Sequence, residues 1–331
     1  MVTAGSVASM QWGIRFDFRN PAIAATTMAE RYAAALDMVE WADRLGATSV
    51  TISEHHGSED GYLPSSLPMI AAMAARTSRI QLRIAALIVP FHDPLRLAED
   101  IAVVDNLANG RLEVLVAAGY NPDEFAMFDV PMNERVARVV EAVSTLRGAF
   151  TGEPFDFRGR TVQVTPAPAQ VGGPKIIMGG SSDAAARRAA RIADGFHPSA
   201  PGSWDAYRDE MAKCGQPDPG PLRQNTVGTC FLAEDVDEGW DAVGPYFLHE
   251  MNAYGAWQQG DVETNFRAVD AIAELRDKSH YRVMTPDDLV AALVPADDPV
   301  VVFHPMCGGT PPDMAWESLR LFERDVLPKV G

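Results

Sequence analysis

A parallel α/β barrel, (β/α)8, is the fold class this sequence predicts, and three observations carry it. Short continuous Val/Ile/Leu runs alternate with helix-period segments almost from end to end. Unbroken apolar runs mark strands buried on both faces, as helix-covered parallel sheets require, and eight such units favour a closed barrel over an open sheet. No G-x-G-x-x-G follows the first run, which weighs against a dinucleotide-binding sheet. The 331 residues are read as one domain, 1–331.

In chain order, strands are expected near Trp12–Phe18, Ser49–Ser53, Leu82–Val89, Leu112–Ala118, Lys175–Met178, Gly195–His197, Thr226–Leu232 and Val300–His304. The intervening 3.6-period patterns predict helices over Ala29–Leu45, Leu67–Ala75, Pro94–Leu107, Glu134–Phe150, Asp183–Ile192, Ser203–Cys214, a long stretch after Ala233, and Met314–Val326. Two segments exceed a minimal barrel. Residues 151–173 read as an insertion after the fourth strand, with short strands around the turn Arg158-Gly159 and a proline-rich return. Residues 244–282 mix glycines with Tyr246, Phe247, Tyr254, Trp257, Phe266 and Tyr281 and read as a long active-site lid between strands seven and eight. Thr285-Pro286 then restarts a helix, with Thr285 as N-cap and Pro286 at its first position.

Composition narrows the function classes. Hydrophobic residues make up 47% and charged residues 22%, a globular balance. The formal net charge of −17 repels nucleic acid and anionic membranes. No apolar run approaches the ~20 residues of a bilayer span. Met1 to Met10 carries no basic residue ahead of an apolar stretch, so no secretory signal is read there. Cys214, Cys230 and Cys307 are odd in number and far apart, the pattern of a reducing, cytoplasmic compartment.

Strand ends running into polar or glycine-rich turns place the site on one face of the barrel. Glu54-His55-His56 follows the second strand. His55 and His56 are the catalytic candidates; strand alternation sends them to opposite faces, and the barrel-mouth position favours His55 as general acid or base. Glu54 is read as holding a backbone group or histidine nearby. A metal site built from Glu54, His55, His56, His92, His197 and His304 is the competing reading. The first-strand ligands it would need are absent from Arg15-Phe16-Asp17-Phe18-Arg19. Ala85-Ala86 leaves room for something flat against the backbone, or for close helix packing; Arg83, on the same face as Ala85, can pair with Glu113. Gly179-Gly180-Ser181-Ser182 opens a helix and offers free N–H groups to an anion; Gly308-Gly309-Thr310 is a second, weaker candidate. Arg187, Arg188 and Arg191 read as a solvated face, Met69 and Met73 as core, and Glu134, Arg135 and Arg138 as surface pairing.

These segments resemble the bacterial luciferase-like superfamily of flavin- and deazaflavin-dependent oxidoreductases. The resemblance runs from Ile14 to the helix Ser318–Leu327 and rests on Glu54-His55-His56, on Ala85-Ala86-Leu87-Ile88-Val89-Pro90 with Asp93-Pro94, and on Asn109-Gly110-Arg111. It continues through Gly119-Tyr120 and Asp123-Glu124-Phe125. It implies that His55 is the catalytic base beside the flavin and that a non-proline cis bond joins Ala85 to Ala86 under the ring. Glu54, Gly119 and Tyr120 would then flank the cofactor, and Gly179 to Ser182 would receive its phosphate. Where luciferase has an arginine before the glycine after the fourth strand, this chain has Ala118.

The activity so implied is a monooxygenase taking reduced FMN, as a co-substrate from a separate NAD(P)H:flavin reductase, together with O2 and a small organic substrate, in a homodimer without a metal. The alternatives are a dehydrogenase or reductase using the deazaflavin coenzyme F420, and a flavin-binding relative without turnover.

Overall fold

The computed structural model describes residues 10–199, 201–258 and 266–330. The first half of the chain holds β1 (Gln11–Phe16), α1 (Met28–Arg44), β2 (Ser49–Ile52), α2 (Ser66–Arg76), β3 (Gln81–Ile88), α3 (Pro94–Ala108), β4 (Leu112–Ala117), α4 (Pro122–Met127) and α5 (Arg135–Ala149). A hairpin of β5 (Phe155–Phe157) and β6 (Arg160–Val162) precedes β7 (Lys175–Gly180), α6 (Asp183–Ile192), β8 (Gly195–Pro198) and α7 (Trp204–Lys213). Then come β9 (Thr229–Leu232), α8 (Val236–Trp257), α9 (Ile272–Lys278), β10 (Tyr281–Met284), α10 (Pro286–Leu293), β11 (Val300–Phe303), α11 (Pro312–Leu321) and α12 (Leu327–Val330).

The centre is a 7-stranded parallel sheet in the order β11-β1-β2-β3-β4-β7-β8, with β9 and β10 as a separate parallel pair. Thr226 ties the approach to β9 onto β11, its N–H donating to Val300 O at 2.8 Å and its hydroxyl accepting from Val300 N–H at 2.9 Å. Strand alternation sorts the side chains. Trp12, Ile14, Phe16, Val50, Ile52, Ile84 and Val114 are buried towards the helices. Arg15, Thr51, Arg83 and Glu113 are register partners across β1, β2, β3 and β4 and share the opposite, inner face.

Each expected strand position is occupied by a strand. The turn Arg158-Gly159 has φ of 53° and 74°, the left-handed pair a two-residue hairpin needs. Thr285 caps α10 in a capping box with Asp288. Met69 and Met73 lie in the core.

The segment expected as a lid differs. It opens inside α8, a 22-residue helix capped by Asp235, because Trp240, Val243, Phe247 and Met251 continue one buried helical stripe through the aromatic region. β10, unexpected from the sequence, pairs Tyr281 with Thr229 of β9. Residues 259–265 of the expected lid, like residues 1–9 of the N-terminus, lie outside the described residues. Among the described residues no helix is long and apolar enough to cross a membrane.

Candidate active site

β2 delivers Glu54, His55 and His56 to the rim where the parallel strands end. The two histidines diverge as alternation requires. His55 is 7% exposed and its Nδ1 lies 2.7 Å from Glu124 Oε1. The same oxygen accepts the His56 backbone N–H at 3.0 Å, so it is the acceptor towards His55 as well. Nδ1 therefore carries the proton and Nε2 is left as the basic nitrogen. His56 turns away, edge-on to the stacked rings of Phe91 and Phe128, with its Nε2 3.3 Å from Glu54.

Aromatic rings enclose His55. Trp257 lies with its ring centroid at 4.5 Å, Tyr62 at 4.9 Å, Tyr120 at 5.7 Å and Tyr254 at 6.0 Å. Tyr62 and Tyr254 join hydroxyls at 2.7 Å, and burial raises both phenols above their ordinary range, so they stay neutral. The fully buried Arg19 guanidinium sits 4.7–4.8 Å from the Tyr62, Tyr254 and Trp257 rings and donates to Asp60. Asp60 also contacts His249 Nε2 at 2.7 Å, so the β2–α2 loop and α8 are joined around one guanidinium.

Across the rim, the Ala85–Ala86 peptide bond is cis. Both alanines are partly accessible between the buried Ile84 and Leu87, a bare ledge at the lumen wall. Glu54 steadies the far end of that strand, its oxygens accepting from Ile88 N–H at 3.3 Å and Ser66 Oγ at 2.8 Å. Gly119 turns the chain after β4 with φ +73°, and a Cβ there would meet Ile88 and Phe125 at 3.0 Å. A side chain at that position would be strained by the positive φ and crowded by both neighbours.

β7 ends in Gly179-Gly180, where a Cβ would strike Leu115 at 2.8 Å and Ala185 at 2.5 Å respectively. Ser181 and Ser182 are exposed. Ser182 Oγ caps Ala185 N–H at 3.3 Å, leaving the first N–H groups of α6 pointing outwards. Ledge, rim and helix start fit a flat ring with an anionic tail.

Below the rim the inner face of the sheet is polar. Arg15 and Arg83 keep 31% and 37% of their side-chain surface accessible there. Arg83 pairs with Glu113 through Nε. His197, exposed on β8, has its pKa lowered by desolvation from the surrounding protein and then by Arg83. Of the residues weighed as metal ligands, His56 and His92 both approach Glu54, at 3.3 and 3.7 Å, while His304 is buried beside Arg15. The turn Gly308-Gly309-Thr310, expected as a second anion site, is a correction. It is buried, Gly308 lies against the Tyr246 carbonyl, and Arg31 binds its carbonyl oxygens.

Glu54 sets a pH limit on this arrangement. Burial pushes its carboxyl up, but His56, His92 and Ser66 outweigh burial and hold it at about 2, against an ordinary 4.5. A folded pKa below the unfolded one stabilises above the unfolded value, and that stability drains as pH falls from 4.5 towards about 2. The shift corresponds to about 3 kcal/mol. Denaturation at pH 5 and pH 3 is expected to show a smaller acid loss in Glu54→Gln than in the native chain; equal losses would remove this role from Glu54.

Residues 10–304 match the family model for luciferase-like monooxygenases. The chain belongs to that family. It is an oxidoreductase by this membership. A monooxygenase from Streptomyces bottropensis, RslO1, shares 27% identity with a TM-score of 0.77, over 97% of this chain and 100% of that one. An F420-dependent glucose-6-phosphate dehydrogenase of Nocardia farcinica is 32% identical over 187 residues, 53% of this chain and 56% of that protein. An FMNH2-dependent dimethylsulfone monooxygenase of Pseudomonas fluorescens is 32% identical over 155 residues, 45% of this chain and 42% of that protein. Matches to the curated relatives thus span only part of those proteins, from 35% to 56% of their length for these and the others most similar.

Within this luciferase-like site, sequence reasoning missed Glu124, Arg19, Asp60 and Glu250. Glu124 had a readable signal, because Asn121-Pro122 starts a short helix directly after Gly119-Tyr120 and aims its first turn back at the rim. The others depend on long-range packing.

Proposed function

We propose that this chain is a monooxygenase that uses reduced FMN and O2 to place one oxygen atom in a small organic substrate, the other leaving as water. The observation that carries the reading is the enclosure of His55, whose Nδ1 is fixed by Glu124 and whose outer side is covered by Trp257, Tyr62, Tyr120 and Tyr254. Oxygen transfer needs a site from which water is excluded, and hydride transfer between stable partners needs this less. Reduced FMN supplies the two electrons that activate O2.

The chain's own residues then divide the work. Ala85, Ala86 and Tyr120 hold the ring, and Gly119 lets the backbone approach it. Gly179, Gly180, Ser181 and Ser182 receive the phosphate at the start of α6. His55 Nε2 moves the proton where cofactor and substrate meet, while Glu54 and His56 brace the ledge from behind. The sheet is read as an eight-stranded barrel, with β9 filling the place between β8 and β11. The hairpin region 151–173 is an insertion, and α8 with the segment after it is the cover. A separate reductase supplies the cofactor, and two copies of this cytoplasmic chain pair.

A second reading, F420-dependent dehydrogenation, is favoured by Ala118 in place of the luciferase arginine and by the Nocardia farcinica relative. Mixing the protein with each reduced cofactor in air-saturated buffer separates the two. The monooxygenase reading predicts tight binding of reduced FMN and an altered rate of its reoxidation relative to free FMN. Binding of F420 alone would contradict it.

A further inference from the structure

About two-thirds of the way along α8 a carboxylate points inwards. Glu250 is fully buried, and its oxygens accept from Arg15 Nη2 at 2.8 Å, from the Cys307 thiol at 2.8 Å and from the Tyr281 hydroxyl at 2.5 Å. His304 Nδ1 lies 3.3 Å away. Burial works against the ionised form, but His304, Arg15 and the hydrogen bonds hold the carboxyl well below its usual range. The partners come from β1, from β10 and from the turn after β11, so a single side chain of α8 is bound to three separate parts of the fold. The turn after β11 is fitted to the helix as well. Gly308 lies so close that a Cβ there would stand 2.0 Å from the Tyr246 carbonyl oxygen.

Glu250, Tyr254 and Trp257 follow at i, i+4 and i+7 and therefore share one helix face. The two aromatic residues are those that cover His55. We infer that Glu250 is a positioning residue: its bonds to Arg15, Tyr281 and Cys307 set the depth and rotation of α8, and so the fit of Tyr254 and Trp257 over the candidate base. The inference takes from the proposed function that His55 is the reacting group; the seating of α8 itself does not depend on it. Glu250, His304 and Cys307 also bring ligand-type atoms within 4.8 Å of one another. The Arg15 guanidinium occupies the cationic position among them, which makes this cluster an ion-paired anchor.

Hydrogen exchange on the cofactor-free chain tests the anchor. In Glu250→Gln, amides of residues 250–257 are expected to exchange at least about tenfold faster, while those of β3 and β4 change little. Loss of the carboxylate leaves the half-buried Arg15 without its ion-pair partner and can unfold the chain. The double variant Glu250→Gln with Arg15→Met removes both charges and is expected to keep the selective loosening of α8 with global stability recovered. Uniformly faster exchange throughout the double variant, or unchanged exchange in 250–257, would overturn the inference. A stoichiometric metal in the native protein that is lost in Glu250→Gln would also overturn it.

A second readout links the anchor to chemistry. With reduced FMN and O2, the loosened variant is expected to shift product towards free FMN and hydrogen peroxide (FMNH2 + O2 → FMN + H2O2). Selective loosening without this shift would retain the anchor and count against the proposed function instead.

Discussion

Replacing His55 with alanine is expected to lower substrate oxidation by about 10²–10⁴-fold, the usual cost of removing a positioned acid–base group. Binding of FMN should change little, because the ledge at Ala85–Ala86 and the loop Gly179–Ser182 lie on other strands. The pairing of a large loss in kcat with nearly unchanged cofactor affinity separates a proton-handling role from a packing role. His55 also contacts four aromatic rings, so His55→Gln, which retains more of the ring's bulk, is the control. Turnover in His55→Gln should remain as low as in His55→Ala. Native-like turnover in either variant would remove His55 from the chemistry.

Glu124→Gln is expected to cost about 10–10²-fold in kcat, with Glu124→Ala at or above the upper end. Glu124 Oε1 accepts both the His55 Nδ1 proton and the His56 N–H, so it fixes the tautomer and also the loop that carries both histidines. Glutamine can still accept one of these bonds, but its amide can turn and donate instead, presenting His55 with the wrong nitrogen protonated. Alanine removes the acceptor and leaves a buried N–H without a partner, which adds about 1–3 kcal/mol of instability. Steady-state kinetics with thermal melts of both variants check this. A Glu124→Ala enzyme with native kcat would show that the orientation of His55 is set elsewhere.

Much of the scaffold was legible because it rests on local signals. The Val/Ile/Leu runs from Leu82 to Ile88 and from Leu112 to Val116 name their strands, Arg158-Gly159 names a two-residue turn, and Thr285-Pro286 names a helix start. The divergence of His55 and His56 followed from alternation alone. The long-range pairings were hidden by distance along the chain: Glu124 lies 69 positions from His55, and Arg15 and Glu250 are 235 apart. No composition or period carries such pairings. The segment after Gly244 misled for a different reason. Glycines and aromatics read as loop, yet Gly244 is where Ile272 packs against α8, so that a Cβ would meet it at 2.7 Å. Local propensity gave way there to tertiary packing. The buried turn at Gly308 misled in the same way, since a glycine pair serves close backbone approach as readily as it serves an anion.

A crystal structure of the chain grown with saturating FMN tests the central claim most directly. The ring is expected against Ala85–Ala86 within reach of His55, and the phosphate at Gly179 to Ser182 beside the first turn of α6. FMN seated at another place, or a rim that remains without it while F420 binds there, would contradict the account.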